Sequence, residues 1–153
     1  VSIYINRLED LPDFCALNRE WILKYFTLEA SDLELFENPA QIIADGGYVV
    51  TLHLHDQVVG CCALLRHAND RYELAKMAVA PSFQGRGLAN SLILAVIELA
   101  RSIGARAIEL QTNSILEPAL ALYRKHGFVV VDSPEPSKYS RTNVFMVLDL
   151  NEA

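Results

Sequence analysis

The 153-residue sequence predicts a single α/β domain, a mixed sheet with helices on both faces. Three observations predict it. The chain is 52% apolar, enough to bury one core without disulfides. Its early strands come in hairpin order, joined by short polar turns. Its later strands alternate with helical stretches, so they connect by crossovers.

The elements follow in order. Residues 2–6, SIYIN, alternate and carry β-branched side chains, so they form a first strand. Residues 10–25 form a helix. Leu11, Phe14, Cys15, Leu17, Trp21, Ile22 and Tyr25 recur at helical spacing, and Asp10 with Pro12 marks the start. A second helix runs from Ser31 or Asp32 through Phe36, with Ser31 and Glu34 at capping-box spacing. Asn38-Pro39 interrupts it, and residues 40–44 add a further helical turn. GYVVTLHLHDQVVGCCALLRH, residues 47–67, reads as a hairpin turning at His55-Asp56-Gln57. RYELAKMAV, residues 71–79, is the next strand. Residues 87–103 form a long helix that Gly104 ends. ARAIELQT, residues 105–112, is a strand. Residues 117–126 form a short helix with Pro118 in its first turn, and Gly127 ends it. FVVV, residues 128–131, and residues 143–150 are the last two strands. A loop rich in proline and serine, residues 133–140, separates them.

Composition excludes several classes. The net charge is -6 and no basic cluster occurs, which argues against a nucleic-acid or anionic-membrane surface. Charges interrupt every apolar run before it reaches membrane-spanning length. The first residues, VSIYINRLEDL, lack the pattern of a secretory signal. Three cysteines, Cys15, Cys61 and Cys62, do not make a disulfide framework, and a reducing cytoplasm suits them.

The stretch VAPSFQGRGLANS, residues 79–91, hands a strand over to a helix. A helix start leaves backbone N–H groups unpaired and carries partial positive charge, which together suit an anion. Gly85 and Gly87 let the main chain approach a ligand, and Arg86 adds a cation suited to phosphate. The dinucleotide fingerprint would need a third glycine where Asn90 stands, and the nucleotide P-loop would need Gly-Lys-Ser/Thr. A plain strand-to-helix turn is the alternative.

MAVAPSFQGRGLANSLI resembles the acyl-CoA-binding signature of the GNAT superfamily of N-acyltransferases. That signature is an apolar strand, a Val-x-Pro step, then Gln84-Gly85-Arg86-Gly87-Leu88-Ala89 opening a long helix. NSILEPALALYRKHGF, residues 113–128, is similar to a later motif of the superfamily through Ala119, Leu122, Tyr123, Gly127 and Phe128. The resemblance implies a mostly antiparallel mixed sheet and acetyl-CoA as acyl donor; no metal is expected. It implies that the main chain of Gly85 through Ala89 wraps the pyrophosphate. The pantetheine arm would lie along the preceding strand near Met77 and Val79. It further implies direct transfer to a primary amine in a ternary complex. A module of the same fold that binds acyl-CoA without turnover is the alternative. Dimers are common in the superfamily, although no segment here demands a homodimer.

Acyl transfer to an amine needs a base for the ammonium, a donor for the oxyanion and an acid for the departing thiolate. The resemblance makes Glu73 the candidate base, often acting through a water; otherwise it is an exposed strand carboxylate. The Met77 N–H is the oxyanion donor by the same resemblance. Tyr123 is the candidate acid, since a phenol stays protonated at neutral pH; otherwise it is a core aromatic. Asn113 either bonds the pantetheine arm or caps its turn. Arg141 either binds a substrate carboxylate bidentately or forms a surface salt bridge. Trp21, Tyr25 and Phe26 line an acceptor pocket or join the core. Cys61 and Cys62 face opposite sides of a strand as small buried hydrophobes, so a cysteine nucleophile is disfavoured. His53 and His55 share a strand face but lack a third metal ligand. His67 and His126 read as solvated. The acceptor is left open: the acidic chain favours a cationic amine, and Arg141 favours one bearing a carboxylate.

Overall fold

The computed structural model describes residues 1–133 and 139–151. Its strands are β1 (Ser2–Ile5), β2 (Tyr48–Leu54), β3 (Gln57–Arg66), β4 (Arg71–Val79), β5 (Ala107–Thr112), β6 (Val129–Val131) and β7 (Val144–Asp149). Its helices are α1 (Leu11–Tyr25), α2 (Ala30–Glu37), α3 (Gln41–Ala44), α4 (Leu88–Ser102) and α5 (Glu117–Lys125). Among the described residues the strands form one sheet in the order β1-β2-β3-β4-β5-β7-β6. Only β4 and β5 run parallel. The mixed, mostly antiparallel sheet matches the expectation.

Alternation along the strands sorts the core into two layers. Val50, Leu52, Cys62 and Leu64 pack on Leu92, Ile93, Val96 and Ala100 of α4. Their neighbours Val49, Cys61 and Ala63 turn the other way, onto Leu11 and Phe14 of α1 and Ile42 of α3. A period of two on a strand makes this inevitable once both faces are covered. Each fully buried Val, Leu, Ile or Phe among them contributes roughly 1.5–3 kcal/mol. Cys61 and Cys62 do face opposite sides, as expected, and both are buried.

Local corrections have physical reasons. A 3-10 turn, Leu8–Asp10, precedes α1, and Asp10 does not cap it. Its buried carboxylate instead accepts from Thr51 Oγ1 at 2.6 Å and meets His53 Nε2 at 2.7 Å. The N-cap of α2 is Glu29, not Ser31, and the Glu29 N–H donates to Asp32 Oδ2 at 2.9 Å. The β2–β3 turn lies where predicted, but His55 is in the turn rather than on the strand. His55 and Asp56 both have positive φ, 52° and 61°, as a two-residue hairpin turn requires. His53 and His55 therefore do not share a strand face. Residues 134–138 of the predicted proline-rich loop lie outside the described residues.

Two irregularities position the site. Between Cys61↔Ala78 and Ala63↔Ala75 the register slips, so Lys76 and Met77 together oppose Cys62. That is a β-bulge, and Lys76 takes φ 57° in it. Further, β4 pairs with β5 only through Arg71–Glu73 against Ala107–Glu109. Beyond Glu73 the two parallel strands carry no ladder between them. The sheet opens there, next to the bulge.

Candidate active site

The opening is a cleft of about 580 Å³. One wall is β4, through Glu73 to Met77 and Val79, and the other is β5, from Leu110 to Thr112, with Asn113, Leu116, Ala119, Leu122 and Tyr123 beyond it. Its volume lies in the range of small-molecule sites. Where two strands diverge, their main-chain groups lack strand partners. An extended, amide-bearing ligand can take up such groups as an added strand does.

At one end the cleft meets the glycine loop, and Gln84, Gly85 and Ala89 line it. Gly85 and Gly87 each have φ 78°, and a Cβ on either would meet nothing within 4 Å. Their glycine identity is thus required by backbone conformation, not by packing. Gly87 is the N-cap of α4 and offers no side-chain cap. The first hydrogen bond there runs from Ser91 N–H to Gly87 O at 3.2 Å, so the preceding amides have the orientation that suits an anion. The open space and this amide set fit a phosphate. Leu88 is buried in the core, so only its main chain can take part. Arg86 is exposed, with its guanidinium 5.0 Å from the centre of the Phe83 ring. Gln84 Nε2 donates to Val79 O at 3.1 Å, so its side chain ties the loop back to β4.

Glu73 and Tyr123 both line the cleft. Glu73 is not a bare exposed carboxylate: its side chain is 15% exposed, and Oε1 lies 2.8 Å from His67 Nε2. Tyr123 packs beside Phe128, with ring centres 5.9 Å apart. Burial, reinforced by nearby Cys62, pushes its phenol up to about 12. Burial likewise pushes the Cys62 thiol up to about 12 and Cys61 well above its ordinary value. Both thiols therefore stay protonated and poor as nucleophiles.

Asn113 lines the cleft, yet its side chain is engaged. Oδ1 accepts from Ile115 N–H at 3.0 Å and Nδ2 donates to Arg141 O at 2.7 Å. Met77 and Val79 also line the cleft. The expectation that His126 is solvated is corrected: its Nε2 lies 2.7 Å from Asn90 Oδ1 on α4. His67 is 43% exposed but paired with Glu73. Among the described residues no group of three His, Cys, Asp or Glu side chains could hold a metal ion.

Trp21, Tyr25 and Phe26 also line the cleft. Trp21 lies 5.3 Å from Tyr25 and 6.0 Å from Phe26, ring centre to centre. Arg141 is there too, and its salt bridge is internal rather than on the surface. Nη1 and Nη2 each donate to Asp32 at 2.7 Å, and Nη1 also reaches Glu29 Oε2 at 3.2 Å. Lys76 completes the group, donating to Asp32 Oδ1 at 2.8 Å and Tyr139 Oη at 3.0 Å. Burial alone would raise the Asp32 carboxyl; the bonds from Arg141 and Lys76 outweigh it and hold the group well below the usual range. Sequence reading found Arg141 but missed Lys76, Asp32 and Glu29. Their partners lie 44 to 112 positions away, so no local pattern announces them.

A split sheet, a bulged strand on one wall and a glycine-rich helix start define a cleft suited to an extended, phosphate-bearing ligand. The chain belongs to the acetyltransferase (GNAT) family, whose model matches residues 15–128. It is 34% identical over 104 residues to the uncharacterised N-acetyltransferase YvbK of Bacillus subtilis, covering 65% of this chain and 67% of that protein. Its fold is similar to that of a GNAT-family acetyltransferase from Staphylococcus aureus Mu50. The TM-score is 0.84 at 21% identity, over 97% of this chain and 99% of that one. It is also similar to a PaiA N-acetyltransferase from Thermoplasma acidophilum solved with coenzyme A. That match has a TM-score of 0.75 at 18% identity, over 97% and 99% of the two chains.

Proposed function

We propose that the protein transfers an acetyl group from acetyl-CoA to a primary amine, by direct attack in a ternary complex. One observation carries the reading: a single cleft joins the anion-suited start of α4 to Glu73 and Tyr123 on opposing walls. Main-chain amides from Gly85 to Ala89 would hold the pyrophosphate, and β4 near Met77 and Val79 would hold the pantetheine arm. Bound there, the thioester supplies the acyl group.

The protein's own groups manage protons and charge. Glu73 takes the ammonium proton, directly or through a water, and exposed His67 at 2.8 Å offers a route onward to solvent. The Met77 N–H, turned by the bulge, donates to the carbonyl oxygen as it gains charge. The amine nitrogen bonds to the acyl carbon, the carbon–sulfur bond breaks, and Tyr123 protonates the departing thiolate. Two protons leave the ammonium in all; one is balanced by the thiol and one is released. The protonated thiols of Cys61 and Cys62 give no support to a covalent acyl-enzyme.

Thiol release from acetyl-CoA with a panel of amines tests the proposal. Turnover that falls about 100-fold in Glu73→Gln, with coenzyme A still bound, is expected. Binding of coenzyme A with no thiol release from any amine would instead describe a non-catalytic binding module.

A further inference from the structure

Asp32 is fully buried and carries two cations, yet neither it nor Glu29 lines the cleft. Lys76 and Arg141 do line it. The two carboxylates therefore stand behind the cations, seen from the cleft. They are also saturated. Asp32 Oδ1 accepts from Lys76 and Arg141, and Oδ2 from Arg141 and the Glu29 N–H. Glu29 Oε1 accepts from the Ser140 N–H and hydroxyl, and Oε2 from Arg141. Neither is available to a cationic ligand.

Among the described residues, the cations are not saturated. A guanidinium has five N–H donors. Asp32 takes one from each Nη, and Glu29 takes the second on Nη1. That leaves the Nε–H and one N–H of Nη2, which lie along one edge as a second fork. Such a fork matches a carboxylate bidentately. Lys76 has three donors, and Asp32 and Tyr139 take two. Among the described residues, the charged side chains lining the cleft are Lys76, Arg141 and Glu73. The acidity of the chain as a whole does not extend to this wall. Trp21, Tyr25 and Phe26 supply an apolar surface on the same cleft.

We infer that the acceptor is an amine that also bears a carboxylate and an apolar body, an amino acid with an aromatic or large aliphatic side chain. Its carboxylate sits on the second fork of Arg141 beside Lys76, and its side chain rests against Trp21, Tyr25 and Phe26. The inference rests on the acetyltransferase reading above. It resolves the conflict between overall charge and Arg141 in favour of Arg141. Asp32 and Glu29 fix the guanidinium in place, so the fork is formed before the acceptor arrives.

The test compares kcat/KM of the wild-type protein for matched amines: phenylalanine and leucine, their amides, phenethylamine and isopentylamine, and spermidine. The free amino acids should exceed their amides and decarboxylated forms by about tenfold or more, since charge-assisted pairing is lost without the carboxylate. Arg141→Lys should erase most of that ratio, lowering amino acid turnover far more than phenethylamine turnover, with coenzyme A still bound. Equal or better turnover of the amides, phenethylamine or spermidine would overturn the inference and leave the acetyltransferase reading standing. No turnover of any amine, with coenzyme A bound, would overturn the inference too. Loss of coenzyme A binding itself would overturn both.

Discussion

At the residue scale, Asp32 is the side chain whose removal has the clearest consequence. It is fully exposed to the charges of Lys76 and Arg141 and fully hidden from water. Asp32→Ala leaves two largely buried cations without their shared partner, and stability should fall by about 3–5 kcal/mol in chemical denaturation. The pH dependence has a definite sign. The folded carboxyl is held below its ordinary value of 3.8, so its contribution is present in full above that value. It is lost as pH falls below about 4, toward the lower folded value. The stability gap between wild type and Asp32→Asn should therefore narrow as pH drops from about 5 toward 2. Tyr123 gives a kinetic counterpart. With its phenol pushed up to about 12, it remains a proton donor throughout the usual assay range. Tyr123→Phe should lower kcat by about 100-fold at unchanged coenzyme A affinity, and the wild-type rate should show no alkaline fall assignable to Tyr123 below about pH 10.

At the scale of elements, α4 and its two flanking glycines make an internal control. Gly87 before the helix and Gly104 after it share φ 78° and open surroundings. Alanine at either should cost about 1 kcal/mol of stability through backbone strain. Only Gly87→Ala should also weaken coenzyme A binding, because only that end of the helix borders the cleft. The same scale shows what was legible in advance. The order of elements along the chain, the hairpin turn and α4 were readable because each rests on a local period or a local breaker. The bulge at Lys76 and Met77 was not, because a slip in register exists only relative to the partner strand. The cap of α2 was misplaced for a related reason. Ser31 with Glu34 and Glu29 with Asp32 have the same spacing, and the choice falls to the pair whose carboxylate Lys76 and Arg141 neutralise. Glu73, Tyr123 and the glycine loop, which line one cleft, were singled out through the family resemblance, whereas the carboxylate behind Arg141 depends on the folded chain.

At the scale of the whole molecule, the sheet is nearly two pieces. Three facing residue pairs join β4 to β5, and beyond them the cleft separates β1–β4 from β5–β7. A ligand that fills the cleft touches both pieces and binds only the folded chain. Coenzyme A at about 100 times its Kd should add about 2.7 kcal/mol of stability. For a chain of this size that raises Tm by about 5–10 °C in a thermal melt. In the proposed function the split sheet and the glycine-rich helix start form one acyl-CoA site. Calorimetric titration with acetyl-CoA, coenzyme A, ATP and NAD tests it most directly, on wild type and on Gly87→Glu, which sets a carboxylate where the pyrophosphate should lie. Selective binding of acetyl-CoA and coenzyme A by wild type, lost in the variant, is predicted. No binding, or equal binding of all four ligands, would contradict it.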